Sequence, residues 1–155
     1  GILPIHRRSF LKNLDAHRRH GMTNERQTKK SGDYGEELAA RFLKSRGYEI
    51  IKRNYHSKYG EIDIIAKNDR NIAFVEVKSR SSEYCGLPRE AVTPAKQRKI
   101  IRTAYAYLIK NESDLSPRFD VIEVYFNNKT DLKPQKLTHI KSAFEPDGRD
   151  DYSLL

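Results

Sequence analysis

Three residues in the stretch GEIDIIAKNDRNIAFVEVKSR (60–80) have types and spacing that can do chemistry: Asp63, Glu76 and Lys78. They lie in two segments rich in Ile, Val and Phe, Gly60–Lys67 and Ile72–Arg80, which read as β-strands. Asn68-Asp69-Arg70-Asn71 between them has the composition of a tight turn. Alternation along a strand puts Ile72, Phe74, Glu76 and Lys78 on one face and Ala73, Val75 and Val77 on the other. In the preceding strand it sets Glu61, Asp63 and Ile65 opposite Ile62, Ile64 and Ala66. Both faces are mostly apolar, the pattern of strands covered on both sides. A lone carboxylate in that setting costs several kcal/mol unless it is paired or metal-bound.

Two arrangements meet that requirement. One is a salt bridge at a strand end, with Glu76 or Asp63 paired to Lys78. The other is a metal site. Two carboxylates from adjacent strands can hold Mg²⁺ through oxygen ligands and leave positions for water and a phosphate. A lysine two residues beyond Glu76, on its face, can orient the attacking water and stabilise charge developing on phosphorus.

Further elements must position these groups. Asp33 reads as the N-cap of a helix over Tyr34–Arg46 that stops at Gly47, with Glu36 closing a capping box. At 100° per residue, Leu38, Ala39, Phe42 and Leu43 form its apolar stripe. Glu36 flanks that stripe on the side of Ala39, Ala40 and Leu43 and can look toward the sheet. Glu37 points nearly opposite, with Arg41 and Lys44. Glu36 is therefore both a cap and a candidate third acid. A strand over Glu49–Tyr55 follows, and residues 56–59 form a loop into the hairpin.

After Lys78, Ser79–Val92 reads as a polar loop, long for a connector and able to fold over a substrate. It contains Cys85, which has no histidine placed to activate it and is read as structural. Thr93 as N-cap and Pro94 at N1 open a second helix over Ala95–Asn111, with Ile100, Ile101, Ala104, Tyr105 and Leu108 as its core face. Lys96, Arg98, Lys99 and Arg102 collect in its first half, where cations oppose the macrodipole. A bound phosphate backbone would offset that. A solvated basic face is the alternative for Arg98 and Arg102, and Lys96 is the stronger contact candidate. Arg118–Phe126 is a further strand, in which Asp120 is expected to pair with Arg118 or another cation. Leu137–Phe144 is expected to add a last strand or turn.

Composition bounds the partners. The 155 residues suit one domain, and the net charge of +9 with pI near 9.6 favours a polyanion. Residues 1–30 hold eight Lys/Arg against Asp15 and Glu25, whereas residues 31–144 hold twenty-one against fifteen acids. The folded part is thus basic in its own right. Three segments follow: a basic, largely disordered extension over 1–31, a domain over 32–144 and an acidic flexible tail over 145–155. A short helix over Ser9–His20 is the most order the extension would carry. Met22, the only methionine, is the expected native start. One cysteine excludes an internal disulfide framework and suits a reducing compartment, so a cytoplasmic location is expected. No apolar run is long enough to span a bilayer, no secretory signal is recognisable, and the five histidines show no zinc-ligand spacing.

The motifs GDYGEELAARFL, GYEIIKRNY, GEIDIIA, FVEVKSR, Gly86…Glu90-Ala91-Val92…Lys96 and RFDVIEV occur in this order over Gly32 to about Phe144. Together they closely resemble the YraN-like family of small bacterial proteins. That family is similar in fold to archaeal Holliday-junction resolvases and belongs with the PD-(D/E)XK nucleases. The resemblance implies an α/β, restriction-endonuclease-like core of order α-β-β-β-α-β, with a central mixed sheet flanked by helices. It matches Glu36 to the first-helix glutamate, Asp63 to the central aspartate, Glu76 and Lys78 to the E-x-K pair, and Lys96 to the basic position opening the next helix.

The expected function is a Mg²⁺- or Mn²⁺-dependent endonuclease on nucleic acid, with DNA favoured and branched DNA included. Asp63 and Glu76 would ligate the metal with the Val77 carbonyl, Glu36 would join through water or a second metal, and Lys78 would position the water. Lys96, Arg98, Lys99 and Arg102 would bind the nucleic acid. A homodimer is compatible with this reading, and no membrane partner is expected. A non-catalytic nucleic-acid-binding module and an interaction domain with an inert sheet are the rival classes.

Overall fold

The computed structural model describes residues 2–3, 24–81, 92–128 and 130–148, with side chains described from Lys29 onward. The helix expected over Ser9–His20, the loop containing Cys85, and the end of the acidic tail lie outside these residues. In chain order the elements are β1 (Ile2–Leu3), α1 (Asn24–Ser45), β2 (Glu49–Ser57), β3 (Gly60–Lys67), β4 (Asn71–Ser81), α2 (Pro94–Lys110), β5 (Ser116–Phe126) and β6 (Pro134–Phe144). From α1 onward the order is α-β-β-β-α-β-β. The expected α/β order is present, and 137–144 belongs to a full strand. Among the described residues one mixed sheet forms, ordered β1-β6-β5-β4-β3-β2, with β4 and β5 parallel and the other neighbours antiparallel. This architecture is consistent with a restriction-endonuclease-like fold.

The helices cover opposite faces of the sheet. Leu38, Ala39, Phe42 and Leu43 of α1 pack on Ile64, Ala66, Ala73, Val75, Ile122 and Val124. Ile100, Ile101, Ala104 and Tyr107 of α2 pack on Ile65, Ile72, Phe74, Phe119 and Val121. Tyr107 is buried at 5 %, whereas Tyr105, expected on the core face, is only partly covered. Both-sided burial explains why the central strands are apolar on both faces. Each fully buried Ile, Leu or Phe contributes roughly 1.5–3 kcal/mol.

Local sequence sets the element ends. In the β3–β4 turn, Asn68 Oδ1 accepts from the amides of Arg70 (3.0 Å) and Asn71 (2.8 Å), the self-bonding that suits Asn to turns. Gly47, at φ +86°, ends α1, and the Tyr48 and Gly47 amides donate to the Leu43 and Lys44 carbonyls at 3.0 and 3.1 Å. Thr93 caps α2 by accepting from the Lys96 amide at 3.2 Å, with Pro94 in the first turn, as expected.

The start of α1 is a correction. The helix begins at Asn24, so Asp33 lies in its interior and is not an N-cap, and Glu36 closes no capping box. Gly32 and Gly35 are both helical. A Cβ at Gly35 would overlap Ser79 Oγ, and Ser79 Oγ donates to the Ser31 carbonyl at 2.8 Å. Gly35 therefore permits close packing of α1 on β4, a requirement set by tertiary contact and not by the helix itself.

Asp120 is paired, as expected. Arg118 donates to it from Nε (2.9 Å) and Nη2 (2.8 Å), and His139 Nε2 lies 2.8 Å from its Oδ2. Burial works against the charged form, but the bonds from His139 and Arg118 prevail and hold the Asp120 carboxyl below its usual range. Arg118 also reaches Tyr48 OH at 2.6 Å and Asn71 Oδ1 at 3.2 Å, tying β5 to the end of α1 and the start of β4.

Candidate active site

The β3–β4 ladder runs from Lys67↔Ile72 to Ile64↔Val75 and goes no further. Beyond that rung the strands part, and the backbone amide of Val77 is taken instead by Asp63 Oδ2 at 2.8 Å. The aspartate thus stands in for a ladder carbonyl at the fork. Strict alternation fails at this point. Ile64 faces α1 and Ile65 faces α2, but Ile62 also faces α2, although it is two residues from Ile64. Opposite the break, Asn54 of β2 has φ +51°, a left-handed conformation that Asn tolerates better than most residues. The paired rungs Arg53↔Ile64 and Tyr55↔Ile62 on either side of Asn54 face opposite ways. The expected grouping of Ile62 with Ile64 and Ala66 is therefore wrong.

Glu76 is 5 % exposed on β4, on the α2 face with Phe74. Its Oε1 lies 3.4 Å from Lys78 Nζ and 3.8 Å from Lys96 Nζ, and both lysines keep about a third of their side chains in solvent. Burial first, and the nearby Asp63 second, push the Glu76 carboxyl up to about 7 against the pull of the two lysines. The Asp63 carboxyl is also raised, chiefly by burial, while the Val77 amide and a hydrogen bond with Glu76 act the other way. Glu76 is therefore raised by burial and by Asp63 together, whereas Asp63 is raised by its own burial.

Glu36 and Glu37 separate as the helical wheel predicts. Glu37 bonds Arg41 Nε at 2.8 Å and Arg53 Nη1 at 2.7 Å and keeps 38 % of its side chain in solvent. Those two bonds lower its pKa. The Glu36 carboxyl is raised, by burial and then by Asp63, and Asn54 hydrogen-bonds it. Glu36 thus looks toward Asp63 from the opposite side to Glu76. Among the described residues, no three His, Cys, Asp or Glu side chains gather closely enough to form a metal cage. Strands β3 and β4 and the first turn of α2 bring Asp63, Glu76, Lys78 and Lys96 together, and Glu36 stands beyond Asp63.

The basic residues of α2 divide. Lys96 points into the acid cluster, so its first partner is Glu76. Arg98, Lys99 and Arg102 are exposed. Lys99 flanks the β2–β3 turn, where its Cβ would lie 3.4 Å from a Cβ at Gly60. Asn54, which bonds Glu36, and Arg53, which holds Glu37 away, do not stand out in the sequence. The RNY run in an imperfectly alternating strand is their only local signal. No helix among the described residues is long and apolar enough to cross a membrane.

The model of Uncharacterised protein family UPF0102 matches residues 35–124. A UPF0102 protein of Clostridioides difficile is 49% identical over 117 residues, which cover 75% of this chain and 97% of that one. One from Clostridium acetobutylicum is 50% identical over 121 residues, covering 77% and 98%. One from Caldanaerobacter subterraneus is 46% identical over 114 residues, covering 73% and 93%. The match spans α1 to β5 and takes in Glu36, Asp63, Glu76, Lys78 and Lys96, and the chain belongs to the UPF0102 (YraN) family.

Proposed function

We propose that this chain is a Mg²⁺- or Mn²⁺-dependent endonuclease of the PD-(D/E)XK type, acting on nucleic acid and on DNA in preference. The observation that carries the reading is the carboxylate pair at the β3–β4 fork, Asp63 and Glu76, with Lys78 one turn of the pleat beyond on the same face. Burial raises both carboxyls, and Asp63 beside it helps push Glu76 up to about 7. A hard divalent cation suits such an all-oxygen donor pair. Asp63 and Glu76 would hold the cation, with Glu36 contributing from beyond Asp63 through water. When bound, the cation supplies charge neutralisation at the phosphate.

The chain's own groups do the rest. Lys78 holds and orients the attacking water, and its charge offsets the negative charge that develops on phosphorus. Lys96 offers a second ammonium at the same edge and binds a phosphate oxygen. The Val77–Asp63 bond fixes the aspartate's second oxygen toward the site. Arg98, Lys99 and Arg102 give α2 an exposed basic surface beside the cluster, suited to a phosphate backbone.

A cleavage screen over duplex, single-stranded, flap and four-way DNA, and the matching RNAs, tests the reading. Mg²⁺-dependent cleavage that Asp63→Ala abolishes is expected. Cleavage that survives Asp63→Ala, or none on any substrate, refutes it. The alternative is a nucleic-acid-binding module without catalysis. It is favoured by one feature: Lys78 and Lys96 already neutralise Glu76 within 4 Å.

A further inference from the structure

The parallel ladder of β4 and β5 runs without a register shift from Asn71↔Ser116 to Ser81↔Phe126. Its rungs on the α2 face are Phe74↔Phe119, Glu76↔Val121 and Lys78↔Glu123. The first is confirmed as a shared face by the stacked Phe74 and Phe119 rings, 5.7 Å apart. Two rungs further on, Lys78 and Glu123 are therefore neighbours on that face. Glu123 is 0 % exposed. Its Oε2 accepts from Tyr125 OH at 2.6 Å, but among the described residues its Oε1 has no hydrogen-bond partner. Among the described residues no cation forms an ion pair with it. Lys136, on the next rung, sits over the Tyr125 ring at 4.4 Å instead. A buried acceptor without a donor is disfavoured, and such a group beside a flexible lysine indicates a second position for that lysine.

We infer that Glu123 is a second acceptor for the Lys78 ammonium, which sits on Glu76 in the structure described here and passes to Glu123 when Glu76 is engaged by a ligand. A flexible four-carbon stem lets Lys78 exchange partners by rotamer change alone. Tyr125 holds one Glu123 oxygen and leaves the other to receive the ammonium. Glu123 is a positioning residue: it touches no substrate and acts by keeping Lys78 ordered and off Glu76. The inference rests on the proposed function for the identity of the ligand, but the lysine's movement needs no ligand to be seen.

The test reads the Lys78 side-chain ¹⁵N resonance by NMR in the full chain, first without metal. Glu76→Gln should move it, and adding Glu123→Gln to that variant should move it again, because the ammonium then has neither carboxylate. In wild type, where Lys78 sits on Glu76, Glu123→Gln should leave it nearly unchanged. A resonance in Glu76→Gln that ignores Glu123→Gln overturns the inference. If Glu123→Gln fails to fold, Glu123→Asp, which draws the carboxylate back by one methylene, replaces it: in the Glu76→Gln background it should still move the resonance, and no movement overturns the inference.

Mg²⁺ is then added to wild type. The resonance should move as it does in Glu76→Gln, and Glu123→Gln should weaken Mg²⁺ binding by calorimetry about tenfold, the low end for groups behind a metal ligand. A Lys78 resonance that responds to Glu123→Gln in the Glu76→Gln variant but does not move with Mg²⁺ supports the second acceptor and removes the metal reading. Mg²⁺ binding with a Lys78 resonance blind to Glu123 does the reverse.

Discussion

Glu76→Gln should make the metal-free protein more stable at neutral pH and change it little in acid. The folded protein holds the Glu76 carboxyl at about 7 against an ordinary 4.5, because it is buried and faces Asp63. A displacement of that size corresponds to about 3 kcal/mol. The sign follows from proton linkage. Between 4.5 and about 7 the folded chain keeps a proton that the unfolded chain has released. The stability tied to that proton is complete below 4.5 and is lost as pH rises through 7. Gln cannot ionise, so the variant escapes the loss. The ion pairs with Lys78 and Lys96 that it forfeits are already counted in the value of about 7, which stands against their pull. The net expectation is parity with wild type near pH 4.5 and an advantage approaching about 2–3 kcal/mol by pH 8. Urea unfolding of both proteins in EDTA, from pH 4.5 to 8.5, measures it. A constant difference across that range, or an advantage that shrinks as pH rises, would refute the account of a buried Glu76 carboxyl facing Asp63 at the fork.

Four further outcomes are expected. By calorimetry with Mn²⁺, Asp63→Ala and Glu76→Ala should each abolish divalent-ion binding; retention in both would return the pair to a simple salt-bridge role. Glu36→Gln should fold normally and lose most metal-dependent cleavage, whereas Glu37→Gln should cleave normally and lose at most about 1 kcal/mol from its exposed bonds to Arg41 and Arg53; equal cleavage in the two variants would contradict the facing of α1. Lys78→Ala should keep nucleic-acid affinity within a few-fold and lose cleavage, while Arg98→Ala and Arg102→Ala should weaken binding and lower its salt dependence by roughly one unit for each phosphate no longer neutralised; a titration series in KCl separates them. Asp120→Asn should cost about 3–5 kcal/mol in a denaturant melt, because it leaves Arg118 without its buried counter-charge; a loss under about 1 kcal/mol would show that Tyr48 and Asn71 hold the guanidinium alone.

Much of this architecture is written in local pattern. Alternation in 64–67 and 72–80, turn chemistry at Asn68, the cap at Thr93 and the stop at Gly47 each depend on a few adjacent residues, and each stands in the structure. The wheel that turns Glu36 inward and Glu37 outward needs only the apolar stripe of α1. What local pattern could not supply was anything set by packing between distant segments. Asp33 has the chemistry of a cap, but α1 continues through it, and Gly35 is there because Ser79 of β4 comes too close for a side chain. Asp63 and Glu76 carry a detectable spacing, yet their meeting depends on β3 leaving β4 after Ile64, with Asn54 twisting the outer strand. Lys96 reads in the sequence as a cation for nucleic acid, with nothing to tie it to Glu76. It faces Glu76 because packing Ile100 and Ile101 on the sheet brings the first turn of α2 to the middle of β4. Residue types and spacing name the groups that can act. Only the crossing of strands and helices decides which of them share a low-dielectric corner, and hence which carboxyls are crowded and which lysines answer them.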